Sequence, residues 1–539
     1  MLRNPAVYRW RPVGLSDARD GKYGFNGGCK LLQNLIHDPV SNNMIAPRPA
    51  AFSLTTFSGF SSPGVISLVY AMGTRIFGMV ASALVAGHDE PFCYDTSTNS
   101  FVTITGMTSS NLPVTPATSG PWTPPDCDLV GTKLIVTHPG FTLPNAFGWI
   151  DLSNPAAPVW SAGNMTNTTS HAAVLPGVAT AVQMFNDRAY FSVKNLVYFS
   201  DALQATNQTD AGQVLTVGDL TNVTGFAPQG VDTSTQGILQ AMLVFKGDSI
   251  WQVTGDWNGS TAVGGTLALN QLTSSVGCSA PMTIQPTPSG IMFLANDGVR
   301  NIPPLGMIVQ PPHPDVLFPF YNCTEPSRAV AAYAANTYRI ALDTITTTDV
   351  PGRFEYWFAM NVGKWNGPHT LPTAQITNFN STFIVTTNAA GANLLQSNAN
   401  TSSSDTFVEL GNALTFNMTS TVIDPDPPMA EKTSVEVSIM AVWGEEQVEF
   451  QILDAYGNLV NQTSGEGIDL PVVWGGGETW GGGSTWTPAP YNSAAASIFF
   501  NAPIVVNTFQ FVMTGASQQN FRFAHMLARY EALQYTGVD

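Results

Sequence analysis

Short apolar runs broken by tight polar corners recur along this chain, and that punctuation favours antiparallel β structure over every other fold class. LVFKGDSIWQVTGD (residues 243–256) is a clear copy. Leu243, Val244 and Phe245 lead in, Lys246-Gly247-Asp248 turns, and Ile250, Trp251 and Val253 lead out. The same grammar occurs at 67–80, 181–201, 290–302, 329–343, 354–367 and 381–397. The corners are Met-Gly-Thr, Asn186-Asp187-Arg188, Asn296-Asp297-Gly298, Ala335-Asn336-Thr337, Asn361-Val362-Gly363 and Asn388 to Gly391. Asp297-Gly298 predicts a type I′ hairpin, whose two central residues both need positive φ.

Hairpins spaced by tens of residues over about residues 65 to 400 predict a propeller. The spacing is irregular and no WD or kelch signature repeats, so the expectation is an irregular ring of about six to eight blades. Closure has a physical motive, because many short strands with few edge charges would otherwise pair with other chains. Helical signals are few. Leu31 to Ile36 could form one short turn, and Phe521, Phe523 and His525 alternate as a strand would.

Asp424-Pro425-Asp426-Pro427-Pro428 marks a corner or linker, since proline removes a donor and stiffens the chain. Beyond it, SVEVSIMAVWG and EQVEFQILDAYGNLV read as a further strand pair. The expected organisation is therefore all-β: an N-terminal arm and strands over 1–50, an irregular β-propeller over 51–424, and sandwich- or tube-forming strands over 425–539 that complete the propeller or a tube domain.

Composition narrows the function. Of 539 residues only 11% are charged, against about 25% in an average soluble protein. Asp and Glu number 37 and Lys and Arg 20, a formal net charge of −17. A chain that grips nucleic acid clusters its cations. Here the densest basic stretch is Arg3, Arg9 and Arg11. No 18-residue apolar run is present, and the first residues hold no apolar core of a secretory signal, so neither a membrane anchor nor export is expected. The N-x-S/T triplets at Asn164, Asn167, Asn222, Asn322 and Asn417 follow from a chain rich in Asn and Thr.

Catalytic patterns are missing. Cys29, Cys93, Cys127, Cys278 and Cys323 are scattered and predict buried free thiols. His37, His88, His138, His171, His313, His369 and His525 never take metal-ligand spacing. His88-Asp89-Glu90 could hold a cation with Asp95, but reads better as a solvated turn between blades. There is no G-x-S-x-G elbow, no H-E-x-x-H, and no repeated sialidase box. Neither an enzyme nor a cofactor is expected. In VVWGGGETWGGGSTWTP (472–488), the glycines lack the strand–helix context of a phosphate loop. Trp474, Trp480 and Trp486 on that loop are candidate anchors against a neighbouring chain.

Three stretches in order carry a resemblance. QNLIHDPVSNNMIAPRPAA (33–51), FSDALQATNQTDAGQVLTVGDLTNVTGF (199–226), and LVFKGDSIWQVTGD followed by FLANDGVRNI look like segments of the tail nozzle, or packaged-DNA stabilisation, proteins of short-tailed bacteriophages. The likeness covers about residues 30 to 310. It implies a structural virion protein, a homohexameric ring below the portal and adaptor that conducts DNA at ejection. Its implied neighbours are an adaptor or portal-proximal protein and tail fibre or needle proteins. It also implies assembly in the host cytoplasm and no catalytic residues. Six copies at −17 would carry roughly −100, a field that repels DNA and lets it slide. The competing expectation is a carbohydrate-binding or glycan-degrading propeller, prompted by 10% aromatic residues with 12 Trp.

Overall fold

Among the described residues, seven small antiparallel sheets form a closed ring, and a two-sheet sandwich packs beside it. The computed structural model describes residues 6–16, 28–38, 44–57, 60, 66–116, 122–233, 237–257, 267–304, 306, 308–387, 393–398, 407–424, 432–442, 447–465, 495–500, 505–506, 508–517 and 521–532. The chain is an all-β irregular propeller with additional sandwich strands.

Six blades follow in chain order. Blade 1 is Ile66–Met72, Arg75–Ala81, Asp89–Asp95 and Ser100–Phe101; blade 2 is Asp126–Val130, Lys133–Thr137, Phe147–Asp151 and Val159–Gly163. Blade 3 is Ala181–Phe185, Arg188–Val193, Leu196–Phe199 and Val214–Thr216. Blade 4 is Val223–Thr233, Gly237–Lys246, Ile250–Thr254 and Ala268–Thr273. Blade 5 has three strands, Gln285–Thr287, Gly290–Ala295 and Gly298–Ile302. Blade 6 is Val330–Ala334, Thr337–Ile345, Pro351–Ala359 and Lys364–His369. Blade 7 combines Thr373–Phe379, Thr382–Thr387 and Asn393–Ser397 with an early strand, Phe52–Thr56, which pairs antiparallel to Asn393–Ser397. Chain segments from opposite ends thus close the ring, which removes two of the open edges that such sheets would expose.

Apolar faces between blades glue the ring. Phe147 stacks on Phe191 at 4.5 Å between blades 2 and 3. Ile66, Val69 and Phe92 of blade 1 share a core with Phe379, Ile384 and Leu394 of blade 7. Leu243 and Phe245 pack with Phe293 of blade 5, Phe245 meeting it edge-on at 5.2 Å. Trp251 instead faces blade 3's side, joining the core of Tyr190, Phe199 and Val217.

The sandwich draws on both ends of the sequence. Its seven-stranded sheet contains Ala6–Trp10, Leu35–Asp38, Met44–Pro47, Lys432–Val442, Ala495–Phe499, Val505–Val506 and Arg522–Ala532. Its six-stranded sheet contains Gly14–Leu15, Gly28–Gln33, Thr415–Ser420, Val448–Asp454, Leu459–Gly465 and Phe509–Ala516. Trp10, Phe450, Phe511 and Phe523 interleave between them, with ring centroids 5.6 to 6.5 Å apart. The propeller is an insertion between Met44–Pro47 and Thr415–Ser420.

Two local expectations change. Leu31 to Ile36 is strand, not a helical turn: Gly28–Gln33 and Leu35–Asp38 flank Asn34, which sits at φ 55° and redirects the chain. At 296–298 the hairpin forms but the turn is not type I′, because only Gly298 has positive φ (134°). Type I′ geometry occurs instead at Asn186-Asp187 (47°, 60°) and Ala335-Asn336 (46°, 61°). The strand expected from the alternation of Phe521, Phe523 and His525 forms as Arg522–Ala532. The five cysteines are free, with Cys29, Cys93 and Cys278 buried and Cys127 and Cys323 half-buried.

Candidate functional site: the axial channel

Each blade turns its first strand toward the ring axis, and all seven first strands line one channel of about 360 Å³. At about 30 Å³ per water, that space holds roughly a dozen water molecules. A DNA duplex cannot pass through it.

Two carboxylates mark one wall. Asp126 and Asp128 lie two residues apart on the first strand of blade 2, so they share one face of it. Both reach across to blade 3. Asp126 Oδ2 accepts the Val182 N–H at 3.0 Å. Asp128 Oδ2 accepts the Met184 N–H and the Gln183 Nε2–H, both at 2.6 Å. The pair therefore clasps two first strands that share no backbone ladder. Burial, with the charge of Asp128 beside it, pushes Asp126 up to about 7. Burial also raises Asp128, and it lifts the Cys127 thiol between them well above its ordinary value. A catalytic carboxylate pair needs lone pairs aimed at substrate. Here those lone pairs are largely taken by backbone and amide donors.

The channel mouth where the first strands begin is crossed by Trp122–Pro125. The Trp122 N–H donates to Ser327 Oγ at 3.4 Å, and the Arg328 guanidinium lies 4.8 Å from the Trp122 ring. Ser327 and Arg328 immediately precede blade 6, so the segment leading into blade 2 spans the opening. Pro124 and Pro125 line the channel beneath it.

His88-Asp89-Glu90 differs from the expected solvated turn. His88 is half-buried, but Asp89 and Glu90 are buried. Asp89 accepts from Ser67 Oγ and Thr115 Oγ1, each at 2.7 Å, and from His138 Nε2 at 3.1 Å. Glu90 accepts from Ser82 Oγ. The Gly140 N–H donates to His138 Nδ1 at 3.0 Å, which leaves the ring proton on Nε2, facing Asp89. A serine nucleophile needs a histidine to take its proton. Ser67 and His138 both point at the carboxylate instead, so this cluster fastens blade 1 to the loop of blade 2. Asp95 binds Arg75 at 3.2 Å and lies apart from it. Among the described residues no group of three or more His, Cys, Asp or Glu could hold a metal ion. Trp474, Trp480 and Trp486 lie outside the described residues.

Sequence reasoning missed two buried ion pairs. Arg339 Nη2 meets Glu355 Oε2 at 2.6 Å under Trp357, and Arg48 meets Glu409 with two bonds of 2.8 and 2.7 Å. Nothing local signals them, because each partner lies in a different strand or segment.

No family model and no characterised protein sequence matches the chain. Among solved structures it is similar to a puromycin-hydrolyzing peptidase of Mycobacterium tuberculosis, with 9% identity and a TM-score of 0.35 over 63% of this chain. The chain spans about half (52%) of that peptidase's length. It is also similar to an exo-β-1,3-galactanase of Phanerochaete chrysosporium (7% identity, TM-score 0.23, 89% of this chain and 99% of that one). A glycoside hydrolase family 43 arabinoxylan arabinofuranohydrolase of Bacillus subtilis is a third (10%, 0.21, 89% and 99%). No helix among the described residues is long and apolar enough to cross a membrane.

Proposed function

We propose that the chain is a structural virion protein, the nozzle of a short-tailed phage tail, and that it works as a homohexameric ring docked on an adaptor or portal-proximal protein. The observation that supports this most is the state of the axial carboxylates. Asp126 and Asp128 are engaged as acceptors for the next blade, which favours a bracing role for the axial cavity over a reactive one. Its size rules out DNA passage through a single chain, so the conduit of this reading lies between copies. With −17 on each copy, DNA would meet a repelling wall and slide, without lodging on cations. Tail fibre or needle proteins would complete the assembly, and no cofactor takes part.

The second reading is a glycan-binding propeller. The same channel favours it through Tyr70, which offers an aromatic ring, and Asn378, which offers an amide. Electron micrographs of the native particle, with this chain marked by a bound antibody fragment, test the two together. A labelled ring at the distal tail supports the nozzle. Label elsewhere, a lumen walled mainly by Arg and Lys, or hydrolysis of a glycan by the purified chain refutes it.

A further inference from the structure

The polypeptide crosses the seam between sandwich and propeller twice, and both crossings meet at one ion pair. Arg48 follows Met44–Pro47 on the way out, and Glu409 precedes Thr415–Ser420 on the way back. Arg48 Nη1 and Nη2 donate to the two oxygens of Glu409 at 2.8 and 2.7 Å. Glu409 Oε1 also accepts the Ala51 N–H at 3.0 Å. Arg48 Nε donates to Asn34 Oδ1 at 3.0 Å, and Asn34 Nδ2 donates to Thr415 O at 2.8 Å. The Thr370 N–H, between blades 6 and 7, donates to Asn34 Oδ1 at 3.1 Å. One arginine and one asparagine therefore tie the outward crossing, the return crossing and the ring together.

Two buried histidines lie in the same seam. His369 ends the last strand of blade 6, is fully buried, and meets Trp357 edge-on at 4.7 Å. Neither of its ring nitrogens has a partner among the described residues. The charged groups around it are Arg48 and Arg339, with Glu409 and Glu355 held by those arginines. Glu355 is further committed to Trp357 Nε1 and Thr373 Oγ1. His37 belongs to the sandwich strand Leu35–Asp38 and shares a bond of 2.6 Å between its Nδ1 and Asn366 Oδ1 of blade 6, with Lys364, itself paired to Asp315 at 2.6 Å, nearby.

We infer that this seam is an acid-sensitive latch: Arg48 and Glu409 fasten the sandwich to the propeller, and His369 and His37 release it when they take protons. A proton on His369 would sit without an acceptor between two guanidiniums, so uptake requires the seam to open. A proton on His37 would add a cation beside Lys364 inside the seam. The directions agree with this geometry: burial first, then Arg48 and Arg339, hold His369 well below the usual histidine value, and burial holds His37 down. The sign follows. Folded-state values below the unfolded value of about 6.5 mean full strength above that pH and loss as pH falls below it, up to about tenfold per unit for each histidine. Ordinary carboxylates titrate near 4, below this window, and Asp126, raised to about 7 in blade 2, acts with the opposite sign, stabilising the folded chain as pH falls.

The test is amide hydrogen exchange on the full chain at pH 7.5, 6.5 and 5.5, corrected for intrinsic rates and read at Ile45, Ala46, Trp365 and Asn366. We expect protection there to drop by up to about a hundredfold from pH 6.5 to 5.5, with blade 4 amides unchanged. His369→Gln should remove about tenfold of that drop. Protection that is flat with pH, or falls equally in blade 4, or falls equally in the variant, overturns the inference. If His369→Gln does not fold, His37→Gln decides in the same exchange experiment. A pH drop at Trp365 and Asn366 about tenfold smaller than in the native chain supports the latch, and an equal drop overturns it.

Discussion

Replacing Asp126 with Asn separates the electrostatic from the hydrogen-bonding role of the axial clasp. The native carboxyl rises from 3.8 to about 7 on folding, chiefly through burial. A shift of about three units corresponds to roughly 4 kcal/mol at 1.36 kcal/mol per unit. The side chain keeps part of its surface open to the water of the channel, and screening there halves the figure to about 2 kcal/mol. The folded state binds the extra proton, so the native carboxyl is harmless below pH 4 and destabilises progressively as pH rises from 4 through 7. Asn keeps an oxygen for the Val182 N–H, 3.0 Å away in the native protein, and carries no charge to desolvate. Asp126→Asn should therefore raise the propeller's Tm by a few degrees at pH 8 and leave it nearly unchanged at pH 4. Calorimetry at pH 4, 6 and 8 provides the measurement. A variant that is less stable at pH 8 than at pH 4, relative to the native chain, would show that the clasp depends on the charge, and the reasoning would fail.

Other substitutions probe the ring and its joints. Trp251→Ala should cost about 3 kcal/mol, because the indole fills the space that Gly218 leaves open and packs on the core between blades 3 and 4; a Tm change under one degree would contradict this. Gly140→Ala should destabilise strongly, since a Cβ there would overlap the Val114 backbone beside the Asp89–His138 cluster, and soluble yield with near-ultraviolet circular dichroism would report it. Arg339→Met should cost about 3 to 5 kcal/mol by stranding Glu355 in a dry interior, whereas changing both residues to apolar ones should recover much of the loss in urea unfolding.

The hairpins were legible because each is written in a few neighbouring residues. Lys246-Gly247-Asp248 interrupts two apolar runs, and the strands on either side are set by it. Ring closure was not legible in the same way. Phe52–Thr56 carries an ordinary strand pattern, and its partner Asn393–Ser397 lies more than three hundred positions later. The mixing of both chain ends in the sandwich has the same cause: Ala6–Trp10 pairs with Arg522–Ala532, and no short window contains both. At Leu31 to Ile36, dense apolar spacing suited a short helical turn, while burial on both faces between two sheets demanded strand. In the channel, Asp126 and Asp128 carry no local sign of a clasp, because their partners Val182 and Met184 belong to another blade. His88-Asp89-Glu90 misled for the same reason, since Ser67, Thr115 and His138 that bury it come from three separate segments.

Stitching blade 7 with a strand made near the beginning sets an order of events during synthesis. Blades 1 to 6 form from hairpins that are complete within tens of residues, so each can assemble as it leaves the ribosome. Phe52–Thr56 must wait, unpaired, until Asn393–Ser397 exists, and Met44–Pro47 must wait longer for Arg522–Ala532. The nascent protein therefore holds a sticky, half-dressed strand for most of its translation, and a second nascent copy could capture it. Hosts or expression systems that slow elongation should yield swapped multimers whose rings are closed by a neighbour's early strand.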